Sequence, residues 1–215
     1  MIEGGMMIPV ERARWQELGR LLLGKAVKCS RYLCESRTGS IFYCQLDDVI
    51  KIQPLLPVTI RRMTPDDISA MSYIIDEDEA TLFRERLEEG KTGFVALDGE
   101  RIIHYSWLTF KEEFESWLGI TIHCGTGMGY SFNLYTLPEY KGKNIAPAVL
   151  SEHLASMKEN GCHTALTVVG SKNTASLHTV MKVGFQKGPS FRRTIVLRRK
   201  SSSVTIDGAA VPLWK

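Results

Sequence analysis

The chain has 215 residues, a length typical of one domain or of one domain with an appendage. Its 44% hydrophobic and 24% charged residues are typical of a soluble globular protein, and no apolar run approaches the ~20 residues of a membrane span. A net charge of +3 is too small to indicate a nucleic-acid partner, and five cysteines, an odd number, argue against a disulfide framework.

Residues 1–57 are predicted to form an N-terminal extension built from a helix and a β-hairpin. Apolar side chains recur at helical spacing over residues 10–27, which predicts an amphipathic helix. Its apolar stretch is interrupted by charges and lacks a small-residue cleavage site. We therefore expect no signal peptide and a cytoplasmic protein.

The hairpin of this extension is predicted from two β-rich runs, residues 31–36 and 41–46, which flank the turn residues 37–40. Such a hairpin could bring Cys34 near Cys44. In a reducing cytosol the two thiols would stay free.

The second part of the chain begins with a predicted strand and two helices. Residues 58–63 are β-rich, and Thr64 followed by Pro65 and two acids is a helix start with a hydroxyl N-cap and a proline in the first turn. A second helix is predicted over residues 76–89, which a glycine follows.

A β-hairpin is predicted over residues 92–97 and 101–110, because Asp98-Gly99 between them is the strongest short turn signal. The charged residues 111–115 then lead into a glycine-rich passage, which we expect to be irregular.

The remaining elements alternate between strand and helix. The pattern predicts, in order, a strand over residues 130–136, a helix over 145–157, a strand over 164–169, a helix from Asn173 and a strand over 190–199. Two strands joined by a crossover helix imply a central mixed sheet flanked by helices. We therefore place an α/β domain over residues 58–199 and a tail over residues 200–215.

The turn between the strand over residues 130–136 and the following helix predicts an anion site. A helix start directs unpaired backbone N–H groups and the positive end of the helix dipole at one point. Lys141 and Lys143 add positive charge, and Gly142 lets the backbone approach a ligand closely. These features predict a pyrophosphate cradle that is neither a P-loop nor a dinucleotide fingerprint.

The same turn resembles the acetyl-CoA-binding motif of the GNAT acyltransferase superfamily, Arg/Gln-x-x-Gly-x-Gly/Ala. Its three defined positions are occupied by Lys141, Asn144 and Ala146, of which the first two depart from the consensus. Because the family geometry favours a residue without Cβ at the second position, we expect Asn144→Gly to keep or tighten CoA affinity.

A second motif of the same superfamily follows downstream. Asn173-Thr-Ala-Ser176 and then Lys182-Val-Gly-Phe185 resemble the family's next helix and the start of its next strand, in the same order and spacing. The resemblance spans about residues 58–199. It implies the GNAT fold, a twisted, mostly antiparallel mixed sheet flanked by helices.

The resemblance implies an enzyme that transfers an acetyl group from acetyl-CoA to a primary amine by direct attack. In the family, the strand before the cradle splays from the next parallel strand, and the pantetheine arm lies in the gap like an added strand. A backbone N–H at this strand end is then expected to polarise the thioester carbonyl. By position, the strand end consists of Tyr135, Thr136 and Leu137.

The remaining contacts of acetyl-CoA follow from the same resemblance. The negative charge of its pyrophosphate would be neutralised by Lys141 and Lys143. The pyrophosphate oxygens would accept from the backbone N–H groups of Gly142, Lys143, Asn144, Ile145 and Ala146. Asn173 and Ser176 would contact the pantetheine or the adenosine end.

The leaving thiolate takes up a proton, and the family places a tyrosine for this purpose seven residues after the helix asparagine. Here that position is Val180. His178 lies ~200° away around an ideal helix, so it cannot substitute and is expected to be solvent-exposed. Tyr135 and Tyr130 are the candidates on the preceding strand, and we predict Tyr135.

An acceptor amine is mostly protonated at neutral pH and needs a general base. The candidates are Asn133 acting through water, His123, and the acids of residues 76–79 or 112–115. For the two acidic clusters we favour a solvated surface and the first turn of a helix over the role of a base. We predict Asn133 together with Tyr135 as the catalytic residues and leave the other bases open.

Two other functions fit the same resemblance. The departures at Asn144 and Val180 suit a CoA-binding module without catalysis. The basic clusters at residues 192–193 and 198–200 could receive an acyl carrier protein that delivers a longer acyl chain. The acceptor is expected to be a small molecule or a peptide amine, with no nucleic-acid or membrane partner, and the chain could form a homodimer.

No metal site is expected. His123-Cys124 and Cys162-His163 are adjacent pairs, and adjacent strand residues point to opposite faces, so each pair could offer only one ligand to a metal.

Overall fold

The computed structural model describes residues 34–47, 49–196, 202–206 and 209–211, with side chains over residues 36–47 and 49–194. The chain divides into two compact units, of which one is Thr38–Phe191 and the other combines Met1–Arg37 with Arg192–Lys215. The predicted helix over residues 10–27 lies outside the described residues.

The larger unit is built on a main sheet and a separate hairpin. Its strands are β1 (Cys34–Gln45, in this unit from Thr38), β2 (Thr59–Arg62), β3 (Thr92–Asp98), β4 (Arg101–Thr109), β5 (Glu112–Glu115), β6 (Ile120–His123), β7 (Met128–Thr136), β8 (Thr164–Gly170) and β9 (Gln186–Val196, in this unit to Phe191). In the other unit, β10 (Ser202–Ile206) and β11 (Ala209–Val211) form an antiparallel pair.

The main sheet of the larger unit has the order β9-β1-β8-β7-β4-β3-β2, and β5 pairs with β6 as a hairpin. The β7–β8 pair is parallel, whereas β1–β8, β2–β3, β3–β4 and β4–β7 are antiparallel. The expectation of a mixed, mostly antiparallel sheet is therefore confirmed.

The helices of the described residues begin where the sequence places their caps. They are α1 (Pro65–Ala70), α2 (Glu77–Glu88), α3 (Ile145–Glu159) and α4 (Thr174–Val183). Thr64 precedes α1 as predicted. The side chains of Asp76 and Asn173 accept the backbone N–H groups of Glu79 (2.9 Å) and Ser176 (3.1 Å), which stabilises the first turns of α2 and α4.

Two apolar layers hold the helices against opposite faces of the sheet. On one face, α3 and α4 contribute Leu150, Leu154 and Val183, while on the other α1 and α2 contribute Ile68 and Phe83. None of the helices in the described residues has both the length and the apolar character that crossing a bilayer requires.

The predicted hairpin around residues 37–40 is wrong, because these residues lie inside the single strand β1. Gly39 acts there as a packing residue and not as a turn residue. A Cβ at Gly39 would lie 2.5 Å from the ring of Phe191 and 2.7 Å from the carbonyl of Val169. β1 therefore runs between β8 and β9, and Cys34 and Cys44 are parts of one strand and not cross-strand neighbours.

The β5–β6 hairpin was also absent from the sequence prediction. Its first strand carries three glutamates in four residues, a pattern without apolar alternation. Glu113 is nevertheless buried, because it pairs with Arg86 of α2 at 2.8 Å and with Lys91 at 2.5 Å. Tertiary ion pairs thus stabilise a strand that local sequence does not indicate. The predicted domain boundaries at residues 57 and 199 stay a prediction.

Candidate active site

The strands β7 and β8 separate along their length. Their parallel pairing covers only residues 128–130 opposite residues 164–166. Beyond that point the register of β7 on β4 shifts between Tyr105 and Trp107, and Asn133 has a left-handed φ of 48°. This bulge bends β7 away from β8. The result is a gap between the two strands, at the place where the resemblance predicts one.

At the end of β7, the backbone N–H groups of Thr136 and Leu137 point in different directions. The N–H of Leu137 donates to the carbonyl of Ile103 at 3.0 Å, so it is used inside the sheet. Hydrogen-bonded and non-bonded pairs alternate along an antiparallel ladder, which makes the next pair, Thr136 opposite His104, a non-bonded one. The N–H of Thr136 therefore points away from β4, towards the gap.

The turn after β7 presents a row of unpaired N–H groups. A short 3₁₀ helix (Pro138–Tyr140) leads to Gly142, whose φ is 78°, and to Asn144, the N-cap of α3, whose φ is 59°. Within the described part of the chain, none of five successive backbone N–H groups makes a hydrogen bond to the protein, those of Gly142, Lys143, Asn144, Ile145 and Ala146. The turn therefore offers free backbone donors, and their binding of a pyrophosphate stays a prediction.

Three lysines surround this turn. Lys143 lies with its Nζ 5.3 Å from the ring centre of Tyr140, and Lys141 is exposed beside it. Lys182, from α4, donates to the Oδ1 atom of Asn144 at 2.7 Å. Among the described residues, no carboxylate forms an ion pair with any of the three. Sequence reasoning missed Lys182 because no local pattern links it to a turn 38 residues earlier.

Tyr135 lies on the α1–α2 face of the sheet. Its ring stacks on Tyr105 with a centroid distance of 5.4 Å and an interplanar angle of 22°. Tyr105 is buried, and burial together with the negative charge of nearby Glu79 raises its pKa. Glu79 is the half-buried member of the first acidic cluster, and its charge acts on Tyr105, the ring partner of Tyr135.

Asn133 is exposed at the bulge of β7, beside the gap. Among the other base candidates, His123 and Glu115 are already engaged. His123 is exposed and lies with Nδ1 2.9 Å from a carboxylate oxygen of Glu112. Glu115 accepts from the hydroxyl of Tyr130 at 2.5 Å. Burial raises the pKa of Glu115 and holds the pKa of Tyr130 well above its usual value.

The residues of α4 and its N-cap that the sequence analysis singled out differ in their exposure to solvent. Asn173 and His178 are exposed and Ser176 is half-buried, which confirms the expected exposure of His178. Val180, at the position of the family's tyrosine, is 3% exposed and belongs to the core between α3, α4 and the sheet. That position is therefore filled by a buried side chain that has no hydroxyl.

Two buried histidines lie behind the strand end. His104 Nδ1 is 2.7 Å from Thr136 Oγ1, and His153 of α3 lies between Ser106 (2.9 Å) and Ser131 (3.0 Å). Burial lowers the pKa of each histidine to about 3, so both are neutral at physiological pH. The described residues contain no cluster of three or more His, Cys, Asp or Glu side chains that could hold a metal ion.

A mixed sheet with one splayed parallel pair, followed by a donor-lined turn, defines an acyltransferase fold. In a comparison with protein families, residues 60–185 match the Acetyltransferase (GNAT) family, and this is more than half of the chain. The chain therefore belongs to this family, as its two motifs predicted. No curated protein matches it significantly in sequence.

Solved structures share the fold at low sequence identity. A Drosophila protein has a TM-score of 0.56 and 13% identity, covering 84% of this chain and 58% of that one. A GCN5-related N-acetyltransferase from Sphaerobacter thermophilus has a TM-score of 0.55 and 14% identity, covering 80% and 56%. A glucosamine N-acetyltransferase region of a fungal multi-domain β-N-acetylglucosaminidase has a TM-score of 0.56 and 14% identity, covering 79% and 22%. The chain thus spans at most 58% of the length of each of these three structures.

Proposed function

We propose that the chain is an N-acetyltransferase that moves an acetyl group from acetyl-CoA to a primary amine. The observation that carries the proposal is the row of five free backbone N–H groups that opens α3 beside Lys141, Lys143 and Lys182. The pyrophosphate of CoA supplies the oxygens and the negative charge that such a turn stabilises.

The acetyl end of the co-substrate would lie in the gap between β7 and β8. Its thioester carbonyl would accept the N–H of Thr136, which no strand uses. Charge develops on this oxygen when the amine attacks, so a donor already fixed in position stabilises the transition state more than the ground state.

The transfer itself is a direct attack. The amine nitrogen forms a bond to the carbonyl carbon, the C–S bond then breaks, and the acetyl group remains on nitrogen. The proton lost by the amine goes to a base. The candidates are Asn133 acting through water, at the bulge of β7, and Glu79, whose charge acts on the ring partner of Tyr135. The thiolate takes up a proton, and we assign its donation to Tyr135.

Two measurements test this function in sequence. Calorimetry with CoA tests the donor site, and we expect binding with a defined stoichiometry. Acetyl-CoA is then offered with a panel of a polyamine, an amino sugar, an amino acid and a lysine peptide, while free thiol and product mass are followed. Absence of CoA binding would remove the proposal.

A CoA-binding module without catalysis is the second candidate. It is favoured by Val180, which occupies the family's tyrosine position with a buried side chain that cannot donate a proton. CoA binding without product from any amine in the panel would select this candidate over the enzyme. The acceptor panel therefore decides between them.

A further inference from the structure

A segment outside the matched family region contacts the turn that opens α3. Residues 49–57, called the strap here, connect β1 to β2 and precede the family match, which begins at residue 60. Hydrogen bonds join the strap to α4 and to α3. Its Ile50 N–H donates to the carbonyl of Val183 at 3.3 Å, and its Ile52 N–H donates to the hydroxyl of Ser151 at 3.2 Å.

The strap also contacts the turn itself. The N–H of Leu55 donates to the carbonyl of Lys143 at 2.9 Å, and the carbonyl of Gln53 accepts a weaker bond from Asn144 Nδ2 at 3.5 Å. On the other side, Lys182 donates to Asn144 Oδ1 at 2.7 Å. The amide of Asn144 is therefore held at both ends, by the strap and by α4.

These hydrogen bonds hold Asn144, and the backbone conformation of Asn144 sets the direction in which the five N–H groups point. Asn144 is left-handed, a region that only glycine adopts without cost and that asparagine tolerates better than most residues. Glycine at this position would leave the turn free to sample other conformations. The two side-chain bonds of Asn144 favour the single conformation in which the five N–H groups face one side.

We infer that Asn144, Lys182 and the strap position the CoA-binding turn before the ligand arrives. Asn144 is thus a positioning residue, and its departure from the family consensus is compensated by contacts that the consensus glycine could not make. The inference rests on the proposed function, because it names what prepares the pyrophosphate site of that function. Its expected signature is a loss of affinity for CoA that is confined to ligands carrying the pyrophosphate.

The test compares Asn144→Gly, Lys182→Met and the double variant by calorimetry with CoA. We expect each single change to weaken CoA binding at least threefold, and the double variant to bind about as weakly as the weaker single variant. Lys182→Arg, which keeps a donor, should retain most of the affinity. Lys187→Met, an exposed lysine away from the turn, corrects for the loss of net charge.

Position 55 offers a backbone test with a matched control. Leu55→Pro removes the N–H that binds the Lys143 carbonyl, whereas Leu55→Ala keeps it. We expect only the proline variant to weaken CoA binding. Thermal unfolding of both variants shows whether the fold is retained.

A further readout separates positioning from general damage. Pantetheine lacks the pyrophosphate, so its inhibition constant against acetyl-CoA should not change in Asn144→Gly. CoA binding as tight as wild type, losses that simply multiply in the double variant, or an equal loss for pantetheine would each overturn the inference. A wild-type protein that binds no CoA would instead contradict the proposed function.

Discussion

The hydroxyl of Thr136 lies 2.7 Å from Nδ1 of His104, which ties the end of β7 to a histidine without solvent exposure. The other ring nitrogen of His104 has no partner within the described residues. Thr136 also carries the N–H that faces the gap. The side-chain bond therefore fixes the peptide group to which we assign the thioester carbonyl.

Replacing Thr136 by valine tests the cost of this bond. Valine keeps the shape and the backbone N–H but leaves both nitrogens of buried His104 without a partner. We expect a loss of about 1–3 kcal/mol in the free energy of unfolding, the usual penalty for a buried polar group left unsatisfied. Urea denaturation measures it, with Thr59→Val on exposed β2 as the control. Equal stability of both variants would contradict this account.

The two buried histidines predict that stability falls as the pH falls. Burial lowers the pKa of His104 and His153 to about 3, whereas unfolded histidines titrate near ~6.5. Between these values the unfolded chain binds more protons than the folded protein, so the free energy of unfolding rises with pH. Each histidine contributes a slope of about 1.4 kcal/mol per pH unit in this window.

Glu115 acts in the opposite direction, since burial raises its pKa and the folded protein then keeps that proton longer. The net slope between pH 6 and 5 is therefore expected to be positive but smaller than that of two histidines. Denaturant titrations at several pH values measure it. A free energy of unfolding that stays constant over this interval would show that the histidines are not held neutral.

Removing the single negative charge of Glu113 is expected to lower the stability of the protein strongly. Its carboxylate bonds to Arg86 and Lys91, and Arg86 lies under the rings of Phe83, Trp107 and Phe132. Glu113→Gln leaves buried Arg86 without its counter-charge, whereas Lys91 keeps Glu89 at 2.8 Å, and removing one partner of a buried pair typically costs about 3–5 kcal/mol.

The neighbouring Glu112 supplies the control for this prediction. Glu112→Gln breaks only the exposed contact with His123, a type of pair worth about 0–1 kcal/mol. Thermal unfolding of both variants compares the two positions. Similar melting temperatures would mean that the Glu113 network contributes little to stability.

Much of this fold could be predicted because its signals are local. Asp98-Gly99 gives a hairpin, Asn173 caps a helix, and Gly142 lies in the left-handed turn that the cradle requires. In each case the residue and the structure it determines are within a few positions of each other. The order of motifs around the cradle then identified the family.

The features that escaped prediction depend on distant partners. Gly39 is required by the ring of Phe191, and Glu113 is buried because Arg86 and Lys91 meet it. At the candidate site, the contacts of Asn144 also depend on a residue that is distant in sequence. The consensus favours glycine there, whereas the contacts with Lys182 are the basis on which we propose the opposite sign for Asn144→Gly.

Gly142 allows the cradle to be tested by backbone conformation alone. Its φ is 78° and a Cβ would meet no atom within 4 Å, so Gly142→Ala introduces strain without a clash. Gly142→Pro additionally removes a donor and demands a negative φ. We expect the proline variant to weaken CoA binding at least tenfold, about 1.4 kcal/mol, and the alanine variant to weaken it less.

The matched control for this pair is Gly161→Ala. Gly161 follows α3, has a φ of 77° and is equally open, so the substitution carries the same strain away from the turn. Calorimetry with CoA should find wild-type affinity in this control. If Gly142→Pro also kept wild-type affinity, the turn would not be the pyrophosphate site.

The assignment of the acid gives the last prediction. Tyr135 borders the gap on the α1–α2 face, and its hydroxyl makes no hydrogen bond within the described part of the protein, so it is available to the leaving thiolate. A thiol with a pKa of ~8.5 is a fair leaving group, so the loss of its proton donor is expected at the lower end of the general-acid range, about 10²-fold in kcat. Tyr135→Phe should therefore lower kcat and leave the KM for acetyl-CoA nearly unchanged, the mark of an interaction made only in the transition state. Tyr43→Phe, which removes an exposed hydroxyl from β1, is the control and should turn over normally. A Tyr135→Phe enzyme with full turnover would show that the thiolate leaves without help from this residue.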